Sequence, residues 1–130
     1  MKQEDKELLL RYLSMALPYD VYLKLNIFND SSVDCKLTAI DTDGDISVGV
    51  PADVAYNIID AKPYLRSMSS MTEEEETEYD ILCNYNNNEQ NAIILLDWLL
   101  EKHFDFMGLI PKDLAIAATE ENNPYNIKEE

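Results

Sequence analysis

The chain has 130 residues, 46% of them apolar, with 26 acidic against 10 basic side chains and a net charge of −16. The apolar share is enough for one buried core and speaks against disorder. The charge excludes direct binding to nucleic acid or to anionic lipid, since either needs Lys and Arg to replace counterions.

A single domain is expected over 1–119, followed by an acidic, flexible tail over 120–130. The charged start KQEDKE reads as helix rather than as an apolar signal core, so a cytoplasmic protein is expected. Cys35 and Cys83 are then expected to be reduced and buried. Residues 4–17 have the spacing of an amphipathic helix, with Leu9, Leu10, Leu13, Ala16 and Leu17 on one face. Glu4, Asp5 and Glu7 lie at its dipole-favoured start, and Pro18 ends it.

From Asp20 to Phe28 the apolar period changes to two, the mark of a half-buried strand. A second strand is expected over 33–41 and a third over 45–50. Asp43-Gly44 between them fits a two-residue hairpin turn. That turn sets Ala39 opposite Val48 and Leu37 opposite Val50, apolar against apolar. The acids at 41, 43 and 45 imitate a calcium loop. Such a loop needs glycine at its sixth position and glutamate at its twelfth, where this chain has Ile46 and Ala52.

Residues 51–60 read as a short helix with Val54, Ala55, Ile58 and Ile59 inward, and 64–71 as a connector. Thr72 with Glu75 forms a capping box, opening a helix to about Asn84 that buries Tyr79, Ile81 or Leu82, and Cys83. A central helix over 92–104 follows, apolar nearly all round through Ile93, Ile94, Leu95, Leu96, Trp98, Leu99 and Leu100. It is too short to span a bilayer, which takes ~20 apolar residues. Gly108 is the expected stop, with Leu109, Ile110, Leu114, Ile116 and Ala117 folding back over the core.

DWLLEKHFDFMGLIPKDLA at 97–115, with KPYLRSMSSMTEEE at 62–75, resembles a family of small acidic proteins. These come from anaerobic gut bacteria and their phage-derived or mobile elements. Met107 and Ser67 stand where that pattern has Arg and Pro. The resemblance implies a shared fold and brings no activity and no site residues with it.

The expected fold is α+β: an N-terminal helix, a three-stranded antiparallel meander, and a helical half around a buried Trp98 helix, in two layers. No catalytic, cofactor or metal residues can be assigned. His103 stands alone, two isolated cysteines fall short of a zinc set, and the three glycines form no phosphate loop. His103 reads as a helix-end histidine against carbonyls. The charge is uneven: residues 1–66 sum to −4 and 67–130 to −12, with no base between Arg66 and Lys102. Glu73, Glu74, Glu75, Glu76, Glu78 and Asp80 are therefore the expected interaction surface. The expected function is that of a non-enzymatic interaction or accessory protein of a mobile element, with a protein partner of basic character or a second copy. An acidic nucleic-acid mimic that inhibits a DNA-binding protein is the alternative, and a small hydrolase or metal protein using His103 the second.

Overall fold

The computed structural model describes residues 2–28, 31–40, 45–48, 55–84, 89–119 and 121–126. Helix α1 (Gln3–Ala16) forms as its periodicity dictates, with Leu9, Tyr12, Leu13 and Ala16 wholly buried on one face. Pro18 turns its end into a 3-10 turn, Leu17–Tyr19, and Asp20 at φ 59 redirects the chain. Strand β1 (Tyr22–Phe28) follows, with Val21, Leu23 and Leu25 inward.

β1 pairs antiparallel with β2 (Ser31–Ile40), β2 with β3 (Ile46–Val48), and β3 with β4 (Ala55–Tyr56). On its other side β1 pairs antiparallel with β5 (Ala61–Leu65), which runs parallel to β6 (Ile116–Ala117). The sheet order is β4-β3-β2-β1-β5-β6. The class is α+β, as expected, but the sheet is mixed and extends well beyond a three-stranded meander.

The β2–β3 register also departs from expectation. Leu37 faces Val48, Ala39 faces Ser47 and Ile40 faces Ile46, with a bulge between Leu37 and Ala39. One extra residue reverses the strand's phase, so Ala39 turns out to solvent and the larger Ile40 turns in. The Asp43-Gly44 turn and Asp41 lie outside the described residues.

No helix covers 55–60. Ala55–Tyr56 is strand and Ile58–Asp60 a 3-10 turn that buries Ile58, while Val54 lies outside the described residues. Of the connector expected over 64–71, Tyr64 and Leu65 are instead the end of β5, and Met68–Ser70 is a 3-10 turn. Pro63 is tolerated because the β6 ladder begins only at Tyr64, past the position where proline lacks an N–H.

The two remaining helices are α2 (Glu73–Asn84) and α3 (Glu89–Glu101). Among the described residues, no helix is long and apolar enough to cross a membrane. The core joins α1 to β1, β2, β3 and β5, and is completed by Leu100, Leu109, Leu114 and Ala115. α3 gives Leu99 and Leu100 to the interior but leaves Ile93 and Ile94 exposed and Trp98 half-buried, so the expected helix enclosed nearly all round is not seen.

Tyr12 is the largest side chain in this core, and its hydroxyl has no hydrogen-bond partner among the described residues. An unpaired buried hydroxyl is a desolvation cost without return. Tyr12→Phe is expected to raise stability by about 1 kcal/mol in urea denaturation. A loss of that size would show instead that an ordered water holds the hydroxyl.

Candidate functional site

The acidic run begins at the capping box that the sequence announces. The Thr72 N–H donates to Glu75 Oε1 at 3.0 Å, and the Glu75 N–H to Thr72 Oγ1 at 3.2 Å. Glu75 also receives both arms of Arg66, at 2.9 and 2.7 Å. These hydrogen bonds from Arg66 are the main reason its carboxyl is held down to about 2, against partial burial that pushes the other way. Glu75 is thus half-buried and engaged, whereas Glu73, Glu74, Glu76, Glu78 and Asp80 are exposed. On the helical wheel the five fall into two rows, Glu73/Glu76/Asp80 and Glu74/Glu78.

α2 buries none of its residues. Its expected inward set fails: Cys83 is exposed, Ile81 is 53% exposed, and Tyr79 and Leu82 are half-covered. Its main support is Trp98 of α3. Tyr79 stacks on that indole at 6.0 Å, and Glu78 accepts the indole N–H at 3.1 Å. α3 in turn leaves Ile93 67% and Ile94 49% exposed, and Trp98 is half-buried. Ile94 lies one helical turn from Trp98, on the same side. Glu78, Ile81, Leu82 and Trp98 line a shallow depression of about 250 Å³. The two helices form an arm with apolar surface along it and carboxylates around it.

α3 stops at His103, not at Gly108. The Phe104 N–H bonds the Leu99 carbonyl at 3.0 Å and the His103 N–H bonds that of Leu100 at 3.1 Å. This is a Schellman ending with His103 in the left-handed position that glycine usually takes (φ 62). The apolar contact that accompanies the motif is Trp98 on Phe104, centroids 5.7 Å apart. Gly108 (φ 74) serves a later turn, where the Asp105 carboxylate accepts the Leu109 and Ile110 N–H groups at 2.8 and 2.9 Å.

The His103 ring is half-buried and faces other partners than the carbonyls of its own helix. Nε2 lies 2.9 Å from the Tyr19 carbonyl, and the ring stacks on Tyr125 at 3.8 Å. Tyr125, inside the segment expected to be a free tail, accepts the Tyr22 N–H at 3.0 Å and donates to the Tyr64 carbonyl at 2.8 Å. Burial brings the imidazole down to about 4, opposed by Asp20 and assisted by Arg66. At neutral pH the ring is uncharged. A carbonyl only accepts, so Nε2 carries the hydrogen and Nδ1 is left as an acceptor.

Two cavities, of about 540 and 660 Å³, flank this stack and share Glu101, His103 and Tyr125 in their walls. Asp20 and Lys36, 3.4 Å apart, line the smaller one. His103 therefore stands in a cleft beside two carboxylates. Neither cysteine lines the cleft: Cys35 is buried and Cys83 sits on α2. Among the described residues no three His, Cys, Asp or Glu side chains gather as a metal site would require. The cleft is assembled from segments far apart in sequence, so no local pattern announces it. Compared with protein-family models, with curated proteins and with solved structures, the chain matches none of them.

Proposed function

We propose that the protein is a non-enzymatic interaction protein that holds a basic protein segment on its α2–α3 arm. The observation that carries this reading is that α2 buries no residue while its neighbour α3 leaves Ile93 and Ile94 in solvent. Beside them Ile81, Leu82 and Trp98 line an open depression, and apolar surface gathered in this way suits an interaction face. The surrounding carboxylates favour a partner carrying Lys and Arg, and no base between Arg66 and Lys102 interrupts them. A second copy would bring the same negative charge to the interface, which opposes self-association. The resemblance to proteins of mobile elements is compatible with such an accessory role.

Capture from a host lysate tests this, comparing the wild type with an Ile81→Ser/Ile94→Ser variant and a Glu74→Gln/Glu78→Gln variant. All four side chains are exposed, so stability should change by no more than ~0.5 kcal/mol per site, and at position 78 the glutamine oxygen can still accept the Trp98 indole N–H. A partner retained by the wild type should bind the isoleucine variant about 100-fold more weakly, at roughly 1.4 kcal/mol per residue. Added salt and the glutamate variant should weaken it by several-fold. Equal capture by all three proteins would refute the assignment, as would turnover of a substrate that depends on His103.

The two carboxylate rows on α2 favour a second reading, that the arm imitates a nucleic-acid backbone. Successive acids in each row are about 4.5–6 Å apart along the axis. A DNA-binding partner displaced by duplex DNA would favour mimicry over simple docking.

A further inference from the structure

β5 and β6 run parallel and end at the same place. Arg66 directly follows β5, Ala118 and Thr119 follow β6, and all three line the cavity of about 660 Å³. The crevice beyond the carboxyl ends of parallel strands is where open sheets bind ligands, because the connecting loops diverge there. The volume falls in the ~300–1,000 Å³ range of small-molecule sites.

The lining is rich in uncommitted donors. The Lys102 ammonium makes no ion pair within 4.0 Å among the described residues; it lies 5.7 Å from the Trp98 ring and acts on the Glu75 carboxylate only through its field. Thr72 Oγ1 accepts the Glu75 N–H, which leaves its own O–H to give. Asn123 Oδ1 accepts the Tyr125 N–H at 2.9 Å, which leaves its amide NH2. Arg66 is occupied by Glu75 and by the Ser70 carbonyl at 3.3 Å, so it contributes field more than hydrogen bonds. Among the described residues, Glu101 is the one carboxylate in the wall. The net charge of −16 works against an anion at long range, but physiological salt screens that field beyond ~8 Å.

We propose that this cleft binds a small organic molecule through a carboxylate or phosphate group, held by Lys102, Thr72 and Asn123 with His103 and Tyr125 as the opposite wall. The site lies at the base of the arm, where Thr72 caps α2 and Glu101 ends α3, and its test does not depend on the arm's partner.

The test is a titration of the isotope-labelled full chain, followed by amide NMR shifts, with benzoate, phenyl phosphate and inorganic phosphate, and with benzamide as the neutral control. Saturable shifts centred on Arg66, Thr72, Lys102, Thr119 and Asn123 are expected with at least one oxyanion and not with benzamide. Benzoate against phenyl phosphate decides which oxyanion is preferred, and inorganic phosphate alone tells whether the organic body matters. Lys102→Gln should weaken binding about tenfold, the worth of one charge-assisted hydrogen bond. The half-exposed position of Lys102 leaves the fold intact, and the same spectra report on it. No saturable response to any oxyanion, or one unchanged in Lys102→Gln, overturns the proposal.

Discussion

Phe104→Ala is expected to destabilise the protein by about 4 kcal/mol, the upper part of the range for truncating a buried aromatic. Phe104 is wholly buried. Its ring meets Trp98 in a near-parallel stack and lies 4.3 Å beneath the Arg66 guanidinium. Its backbone closes the α3 ending and forms a parallel bridge with Arg66 at the end of β5. One side chain therefore fastens the arm to the sheet, through Trp98 on one hand and through the Arg66–Glu75 pair that caps α2 on the other. Truncation leaves a cavity beneath both contacts and removes a cation–π interaction worth ~1 kcal/mol. Urea denaturation measures the loss, and limited proteolysis should show earlier cleavage within α2 and α3. Phe104→Leu should recover more than half of the stability while weakening the stack. A loss below about 1.5 kcal/mol for the alanine variant would mean that the arm is held elsewhere.

The parts of this fold that were legible in sequence are those whose cause is local. α1 and β1 each bury one face at a fixed period, so counting apolar positions places them. The Thr72–Glu75 box is visible because both partners lie within one turn. The bulge in β2 was not legible, because exchanging Ala39 for Ile40 depends on what β3 and β4 offer across the sheet. β5 was hidden by Pro63, which is acceptable only given where β6 begins. For α3 the apolar count alone does not fix its surroundings. A helix rich in isoleucine and leucine can be enclosed or can stand at the edge, and only the neighbours decide.

The same division runs through the site. The six acids were legible as a run, but the Arg66 fork separates Glu75 from the other five, and that is a matter of geometry. The cleft beside His103 draws on positions 18–22, 66–72, 101–103 and 118–125, so no window of sequence contains it. His103 in a left-handed conformation has no signature of its own, since glycine is the residue normally found there. The stack on Tyr125 and the bond to the Tyr19 carbonyl offset that backbone cost.

Acid is expected to unfold the protein in two separable windows. His103 is brought from its ordinary value near 6.5 to about 4 in the folded chain. Between those values the unfolded chain takes up a proton that the folded chain refuses, so stability is present above pH 6.5 and falls as the pH drops to 4. The full shift would correspond to roughly 3 kcal/mol, and solvent at the exposed ring edge reduces it to about 2. Glu75 is lowered from 4.5 to about 2, so its contribution is present above pH 4.5 and is lost as the pH falls to 2. The pair with Arg66 is open to solvent on one side, which makes that loss about 1–2 kcal/mol. Acidification also relieves the repulsion of a chain at −16, so differences between variants isolate each group. His103→Asn keeps a residue that tolerates positive φ and should flatten the decline between pH 6.5 and 4.5. Glu75→Gln should remove the lower window and leave the upper one. Curves for wild type and His103→Asn that stay parallel from pH 7 to 4.5 would show that the imidazole is not held neutral by its burial between Tyr19 and Tyr125.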